Sequence, residues 1–527
     1  MRVLFVLCIL GTLLGGCTAA PQPTNGRHAW TVPHVLRIDD FAQPDTLNPY
    51  LSEMDVSYAI SSLVYSYLIV ADDRGDLVGD LATEVPSLAN GGISADGRTY
   101  TYHLRRGVHW QDGVAFTSAD VVASWRAVVD PSHQTVFRNG YDRIVAIATP
   151  DEHTVVVNLR ERYPPFISQF FAPLQEGGKP ILAAHLLRRI HDFNHGALAD
   201  TAVGTGPFKL AKWSRGEGIT LVRNDSYFRG RPGLDRIEYR FVPDPQTIAT
   251  EMRTHQTDLL ETPPAGIYPL LKAIPDLAIS LGPWNAQMLL AINHRSPGLG
   301  DLDVRHAISL AIDRAVLVRT AAHGTGALAR DIVAPGQLGY TVRESIRRNV
   351  RTANALLDRS GWKRRPSYTV ATIAGSATTQ TIALELQSEL RDVGIGLTIK
   401  PYAYPQLYAP DGPLRSGHYD LALFGSVLSW DPDSHVYYGC DQQYPHGQNI
   451  FGYCNRAYDA LEAQALSSDD PGVRGPLYSR ADGVLWNDVA YIPLYQFQRI
   501  VAHNPDLLNY RPNATSTPWW NAWQWDI

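Results

Sequence analysis

The sequence predicts an α/β fold in which helices connect parallel strands, and three observations lead to this prediction. The chain has 527 residues, of which 45% are hydrophobic and 19% charged, as is typical of a globular protein with several cores. A strand–helix–strand pattern occurs over residues 367–400, and another over residues 237–260. Because parallel strands need such crossovers, we expect two separate sheets, one in each of two lobes.

The clearer of these units lies in the second half of the chain. Residues 367–373 are apolar and β-branched, and residues 376–393 carry an apolar stripe with helical spacing. Gly394 is placed to end that helix. Strands at residues 396–400 and 419–424 follow, so the pattern predicts a βαβ unit with a third strand.

The earlier unit is shorter. Residues 237–242 read as a strand, residues 245–255 as a helix, and Leu259-Leu260 as a short second strand. The same order of elements predicts a second region of parallel sheet.

A different pattern separates these units from the N-terminus. Residues 99–104 alternate as a strand does, and Asp96-Gly97 and Asp112-Gly113 are typical of hairpin turns. Thr117 and Asp120 form a capping-box pattern at the start of a helix that Pro131 closes. This region therefore predicts a hairpin-rich unit.

The charge composition excludes one function class. The chain has 46 basic and 52 acidic residues and a formal net charge of -6, which gives no attraction for nucleic acid. The basic residues cluster only at Arg343, Arg347, Arg348 and Arg351 and at residues 363–365, which we interpret as solvated surfaces.

The N-terminus resembles a bacterial lipoprotein signal. Arg2 precedes an apolar run over residues 3–14, whose helical length of about 18 Å is too short for a bilayer core of about 30 Å. Leu14-Gly15-Gly16-Cys17 resembles the lipobox, so we expect residues 1–16 to be removed and residues 17–32 to link an acylated Cys17 to the body. Membrane contact would then be through this anchor only. The alternative is an ordinary secretory signal with a chance cysteine.

Two further cysteines remain in an exported chain. Cys440 and Cys454 are expected to form one disulfide, which would close a loop of about 15 residues and contribute roughly 3 kcal/mol. The alternative is a zinc site, for which only His435 and His446 lie close in sequence. We favour the disulfide and expect no metal or cofactor.

A series of short motifs resembles one known family. In chain order they are Pro44-Asp45-Thr46-Leu47-Asn48-Pro49, Asp96 to Arg105, Trp110-Gln111-Asp112-Gly113, Gly204-Thr205-Gly206-Pro207-Phe208, Arg223-Asn224, Asp303 to Ile308, Gly361-Trp362, Asp431-Pro432-Asp433 and Ile492-Pro493-Leu494. None is specific alone. Their order and spacing resemble the peptide/nickel class, family 5, of ABC-transporter solute-binding proteins over nearly all of the mature chain.

This resemblance implies a periplasmic-binding-protein-like fold with two α/β lobes around a cleft (class II, cluster C) and an additional inserted subdomain. The boundaries it implies are residues 33–78, 201–283 and 490–527 for lobe I, 79–200 for the insertion, and 284–489 for lobe II. It also implies that a monomer captures a small molecule or short peptide by lobe closure and delivers it to ABC permease subunits.

The resemblance also implies candidate ligand-binding residues in one loop, which follows the strand at residues 419–424. In peptide-binding relatives this loop carries a Trp and an Asp that pairs with the peptide amino group. The corresponding residues here are Gly425, Ser426, Ser429, Trp430 and Asp431. Ser429 falls near the position of the amine-binding acid, and Asp431 is either its substitute or part of an Asp-Pro-Asp turn.

Other candidates lie in the remaining motifs and at the expected crossing between the lobes. They are Leu47, Pro49, Trp284, Asn285, Gln287 and Tyr495. Core or hinge packing is the alternative for these residues. The C-terminal Trp519, Trp520, Trp523 and Trp525 are expected to pack on the outside of a lobe.

Several motif residues are expected to be architectural. Gly204 and Gly206 predict a turn that uses the positive φ angles open to glycine. A helix start and its exposed face are predicted at Asp303, Arg305 and Asp313. Their side chains would cap the helix or form ion pairs on its surface.

An enzyme is the rival class of function. The sequence contains no Gly-x-Ser-x-Gly, His-Glu-x-x-His or Gly-x-x-x-x-Gly-Lys motif. His191 and His195 are four residues apart, as two metal ligands on one face of a helix would be. Their segment reads as a loop, which argues against such a metal site. A secreted hydrolase whose catalytic carboxylates lie far apart in the chain stays open as an alternative, as does a receptor on the same fold that presents its ligand to a sensor.

Overall fold

The computed structural model describes residues 26–138, 140–173, 178–196, 198, 200–361, 367–409, 411–445, 447–515 and 519–527. The expected signal peptide, Cys17 and the linker up to residue 25 lie outside the described residues. Trp362, the basic residues 363–365 and His446 lie outside them as well.

Fifteen strands are present in the described residues. They are β1 (Val35–Asp40), β2 (Ile69–Ala71), β3 (Leu77–Gly79), β4 (Thr99–His103), β5 (Ile144–Asp151), β6 (Thr154–Leu159), β7 (Phe208–Ser214), β8 (Gly218–Arg223), β9 (Arg236–Phe241), β10 (Leu259–Glu261), β11 (Ala278–Ile292), β12 (Ser367–Ile373), β13 (Gly396–Tyr402), β14 (Leu421–Val427) and β15 (Tyr491–His503).

The described α-helices are α1 (Asp55–Val64), α2 (Ser118–Val129), α3 (Phe166–Gln169), α4 (Ala184–Leu187), α5 (Pro245–Arg253), α6 (Tyr268–Lys272), α7 (Leu302–Ala311), α8 (Arg314–Thr320), α9 (Val350–Arg359), α10 (Ala377–Arg391), α11 (Tyr404–Tyr408), α12 (Pro413–Ser416), α13 (His435–Tyr438), α14 (Arg456–Ala465) and α15 (Pro471–Asn487).

Both predicted βαβ units are confirmed. Strand β12 pairs in parallel with β13 and β14, and α10 crosses between β12 and β13. Strand β1 pairs in parallel with β9 and β10, which α5 connects. The capping box at Thr117 is also confirmed, because its backbone N–H donates to the Asp120 carboxylate over 2.8 Å.

The prediction of two separate sheets is wrong. All the strands of both units belong to one sheet in the order β13-β12-β14-β11-β15-β10-β1-β9-β8-β7. The long antiparallel strands β11 and β15 join the two halves. Their pairing is interrupted between Pro283 and Gln287, at the centre of the sheet. The first lobe is thus built on β1 and β7–β10, the second on β12–β14, and two continuous strands connect them.

The second lobe has a core on each face of its sheet. On β11, Met288, Leu290 and Ile292 face one core, and Leu289 and Ala291 face the other. This alternation is what a strand covered on both sides requires.

A smaller unit lies beside the first lobe. It contains a separate antiparallel sheet in the order β4-β6-β5. Tyr100, Tyr102 and Val155 of this sheet share one core with Leu36 and Ile38 of β1. The unit therefore packs on the first lobe as part of the same hydrophobic body.

Gly204 and Gly206 are architectural, as predicted, but the predicted reason is wrong. Neither residue has a positive φ angle. A Cβ atom on Gly204 would lie 1.9 Å from the carbonyl oxygen of Val64, and one on Gly206 would lie 2.6 Å from the carbonyl carbon of Val64. Glycine is required here because two backbone segments approach each other closely.

The first turn of α7 shows a second correction. Arg305 is not a surface residue, because it is buried and donates to the backbone oxygens of Asp488 and Leu299. Asp303 does form the expected surface pair, with Arg359. Asp313 caps α8 as predicted.

Candidate ligand-binding site

A cavity of about 260 Å³ lies between the two lobes. Its first-lobe wall is formed by the carboxyl ends of β1 and β10 and by the start of α1. Its second-lobe wall contains Trp284 of β11 and Val427, the last residue of β14. The carboxyl ends of parallel strands form the ligand crevice in open α/β sheets, so the fold itself indicates a binding site here.

The wall carries four carboxylates, those of Asp39, Asp40, Asp55 and Glu261. One guanidinium, that of Arg499, lines the same cavity. The excess of negative charge is the main electrostatic feature of the site.

Two of the carboxylates are engaged by cations of the protein. Arg499 donates to Glu261 over 2.5 Å, and the Trp519 indole N–H donates to the other oxygen of Glu261. Arg240 lies 2.6 Å from Asp39. These two carboxylates therefore already have cationic partners within the protein.

The other two carboxylates have neutral neighbours. Asp40 accepts hydrogen bonds from the Tyr239 hydroxyl over 2.7 Å and from the Ala42 N–H over 3.0 Å. Asp55 is the first residue of α1 and is exposed. Among the described residues, neither carboxylate forms an ion pair, in contrast to Asp39 and Glu261.

The environment of these two groups disfavours their charge. Burial raises the pKa of Asp40, and the Tyr239 hydrogen bond opposes this only in part. Desolvation by the surrounding protein is the main cause that raises the pKa of Asp55; the attraction of Arg499 opposes it, and the repulsion of Asp40 and Glu261 adds to it. A positive charge placed between them would reverse both effects.

A second cavity of about 140 Å³ lies on the other side of Trp284. Trp284 and Thr262 line both cavities, and Tyr495 and Phe497 of β15 line the second one. The Tyr495 hydroxyl is buried and has no hydrogen-bond partner among the described residues. The two cavities together define a cleft that Trp284 divides.

Of the sequence candidates, only Trp284 and Tyr495 line these cavities. Leu47 and Pro49 are buried in the first lobe. The Gln287 amide donates to the Tyr491 hydroxyl over 2.7 Å and to the Ile332 carbonyl over 3.1 Å. Asn285 is buried, and its backbone bonds to Ala514 and Leu428. None of these four residues lines either cavity.

The loop candidates are also engaged by the protein. Gly425 and Ser426 pair with Met288 and Gln287 across β11 and β14. The Ser429 carbonyl accepts from the Gln337 amide. The Trp430 indole donates to the Gly75 carbonyl over 3.0 Å, which connects the loop to the hairpin of β2 and β3.

Asp431 is not a free acid. Its carboxylate forms a bidentate ion pair with Arg474 at 2.8 and 2.9 Å, and both side chains are buried. Arg474 therefore occupies the place that a ligand ammonium would need.

Sequence reasoning missed Asp40, Asp55, Glu261 and Arg499, and it wrongly placed Trp519 on the outside of a lobe. Trp519 lines the main cavity and is 3% exposed. One signal was available, since Asp40 and Glu261 are the last residues of neighbouring parallel strands.

The lobes also touch at a distance from the cavity. The Arg162 guanidinium, on the unit beside the first lobe, donates to the Ser467 carbonyl of the second lobe over 2.7 Å. It also lies 3.6 Å from the Asp469 carboxylate, which accepts from the Tyr100 hydroxyl over 3.3 Å. Opening of the cleft must break these contacts and the bond between Trp430 and Gly75.

In the described part of the chain, no three His, Cys, Asp or Glu side chains are grouped as a metal ion requires. None of the described helices has both the length and the apolar character needed to cross a bilayer.

Two α/β lobes that are joined by long strands and enclose a cavity define the class of solute-binding proteins that close around a ligand. The family model named Bacterial extracellular solute-binding proteins, family 5 Middle, matches residues 76–446. The chain therefore belongs to this family. It is an extracytoplasmic binding protein that captures a ligand for transport, and it is not an enzyme.

Individual relatives are distant but cover nearly the whole chain. The oligopeptide-binding protein AppA of Bacillus subtilis (strain 168) is 23% identical over 542 aligned positions, which cover 97% of this chain and 96% of that protein. The glutathione-binding protein GsiB of Escherichia coli (strain K12) is 26% identical over 471 positions, which cover 88% and 89%. The solved structure of the ABC transporter substrate-binding protein CtaP from Listeria monocytogenes matches with a TM-score of 0.81 at 23% identity, over 93% of this chain and 98% of that one.

Proposed function

We propose that this protein is a lipid-anchored solute-binding protein that captures a short peptide between its lobes and delivers it to the permease of an ABC importer. The cavity at the carboxyl ends of the strands of both lobes carries this proposal. The proposed domain boundaries are those expected from the sequence. Strand β15, which follows the boundary at residue 490, spans both lobes, because its residues 491–496 pair with the second-lobe part of β11 and its residues 501–503 pair with β10 of the first lobe.

The edge of the sheet supports a peptide as the ligand. Strand β12 pairs with β14 only at Leu421 and Ala422, while β11 pairs with β14 as far as Val427. In the described sheet, residues 424–427 of β14 therefore have one edge that no strand covers, and Val427 lines the cavity. Such an edge offers the main-chain hydrogen bonds by which extended peptides bind.

The size of the cavity supports a short ligand. Its volume of about 260 Å³ is below the range of roughly 300–1,000 Å³ that is usual for drug-sized ligands. The relatives named for oligopeptides and for glutathione agree with a peptide or a peptide-like compound.

A ligand panel tests the capture function. Native mass spectrometry of the protein as purified would be followed by thermal-shift measurements with di- to pentapeptides, opines, oligosaccharides and nickel chelates. We expect a short peptide to stabilise the protein, by about 2.7 kcal/mol at 100 times its dissociation constant.

A cavity-filling variant provides the control. Ala59→Trp places an indole in the cavity and should abolish the shift, whereas Ala146→Trp, at an exposed position of β5, should retain it. A protein that binds no compound of the panel, or that binds equally well with Trp at position 59, would refute capture in this cavity.

The lipid anchor is proposed on the sequence of residues 14–17. Replacement of Cys17 by Ser removes the only thiol that can be acylated in this motif, so the protein should move from the membrane fraction to the soluble fraction of cells. Cys8→Ser, within the apolar run of the signal, is the matched control and should remain in the membrane fraction. Unchanged fractionation of Cys17→Ser would exclude acylation at this residue.

We also propose the disulfide between Cys440 and Cys454. Their sulfur atoms lie at bonding distance, with 4.5 Å between the Cα atoms, in the loop between α13 and α14. An exported protein meets the oxidising conditions under which such a bond persists.

A further inference from the structure

We propose that the ligand carries a protonated amine and that Asp40 and Asp55, on the first-lobe wall of the cavity, bind it. This inference rests on the proposed function, and it names the chemical class of the ligand and the two residues that select it. The proposed amine site lies on the first-lobe wall, opposite the loop of residues 425–433.

The pairing of charges in the cavity leads to these two residues. Glu261 and Asp39 already have cationic partners in Arg499 and Arg240. Asp40 accepts only from neutral donors, and the Asp55 carboxylate accepts no hydrogen bond from the described residues. A ligand ammonium would supply the cation that the protein does not.

The second-lobe loop strengthens this inference. Its one acid in the candidate position, Asp431, is neutralised by Arg474 inside the second lobe. An ammonium therefore has no free carboxylate on that wall, while the first-lobe wall offers two.

The apolar part of the wall also suits a cation. Trp284, Trp519 and Tyr239 line the cavity, and aromatic faces attract ammonium and guanidinium groups. One such contact is present within the protein, since the Arg499 guanidinium lies 5.5 Å from the centre of the Trp284 ring. Carboxylates beside aromatic rings are a typical combination for binding an organic amine.

Repulsion within the wall supports the argument from the cavity. Desolvation is the main cause of the raised pKa of Asp55, and the negative charges of Asp40 and Glu261, which line the same cavity, raise it further. A bound amine would relieve this repulsion. Binding of the ligand would then stabilise both the closed lobes and the charged form of the wall.

The amine could be the amino terminus of a peptide or belong to a small polyamine, and titration calorimetry of the whole protein can distinguish these sources. The probes are trialanine, N-acetyl-trialanine and putrescine. We expect trialanine to bind at least about tenfold more tightly than its acetylated form, because a hydrogen bond to a charged group is worth about 1.5–3 kcal/mol. Binding of putrescine without trialanine would support the amine and assign it to a polyamine.

Isosteric variants test the two residues. Asp40→Asn and Asp55→Asn should each weaken binding of the amine probe by about 10- to 100-fold. Asp40→Asn keeps an oxygen that can accept from Ala42, and Asp55 is exposed, so both variants should fold. Asp225→Asn, at a carboxylate that is 68% exposed and far from the cavity wall, should bind as the unchanged protein does.

Three results would overturn the inference: equal binding of trialanine and N-acetyl-trialanine, no binding of either amine probe, or full affinity in both variants. Capture itself would survive if the panel finds a neutral or anionic ligand that Ala59→Trp excludes. If the panel finds no ligand, the proposed function fails together with this inference.

Discussion

Replacement of Gly204 by alanine is expected to lower the free energy of unfolding by about 3 kcal/mol or more, the upper part of the range for overpacking. The added Cβ would meet the Val64 carbonyl oxygen at 1.9 Å, and this oxygen belongs to the backbone. No change of side-chain conformation can relieve such an overlap.

The surroundings of Gly204 increase the effect. Gln111 joins the two segments, since its side-chain amide donates to Val64 over 3.1 Å and to Phe208 over 2.7 Å. The Gly204 N–H donates to the Gln111 side-chain oxygen over 3.1 Å. Separation of Gly204 from Val64 would therefore strain all of these bonds.

Urea denaturation of the purified variant measures this loss. Gly282→Ala is the matched control, because its Cβ would meet no atom closer than 3.8 Å and its φ angle is not positive. We expect Gly282→Ala to change stability by less than about 1 kcal/mol. Similar stabilities for the two variants would contradict the close approach at Gly204.

Replacement of Arg474 by alanine is expected to destabilise the second lobe by about 3–5 kcal/mol. The change leaves the Asp431 carboxylate buried without its cation, and it also removes the donor to the Tyr478 hydroxyl, at 2.7 Å. Burial of an unpaired charge is among the few mechanisms that produce effects of this size.

Two further variants separate this cause from a general loss of contacts. The double variant Arg474→Met with Asp431→Leu removes both charges and should recover most of the stability. Arg359→Ala breaks the exposed pair with Asp303 and should cost at most about 1 kcal/mol. If Arg474→Ala proves as mild as Arg359→Ala, the ion pair is not buried as described.

The local pattern of the chain was enough to predict the βαβ units. Strand β12 occupies the predicted residues, and α10 begins and ends within two residues of its predicted bounds. These elements have strong periodicity and clear end signals in Ser376 and Gly394. Packing against the rest of the protein does not change the secondary structure that this periodicity predicts.

The junction between the lobes could not be predicted in the same way. Strand β11 includes Gly282 and Pro283, residues that normally weaken a strand prediction. They are the last paired residues before the pairing with β15 is interrupted. The continuity of the sheet therefore depends on tertiary pairing that the local sequence does not contain.

The site was predicted only in part, for a related reason. Trp284 and Tyr495 were found at the lobe crossing, and both line the cleft. Asp40 and Asp55 look like an ordinary strand end and an ordinary acid in the first turn of a helix. They meet only because β1, β10 and α1 converge at one edge of the sheet. Asp431 pairs with Arg474, which is 43 residues distant in the chain, and the local sequence gives no sign of this pairing.

The central claim is that the protein holds its ligand between two lobes and releases it unchanged. A crystal structure with the peptide selected by the panel tests this claim most directly. We predict intact peptide in the cavity, with one end at Asp40 and Asp55 and the chain beside Val427 and Trp284. A peptide bound outside this cleft, or found there as cleaved products, would contradict the account.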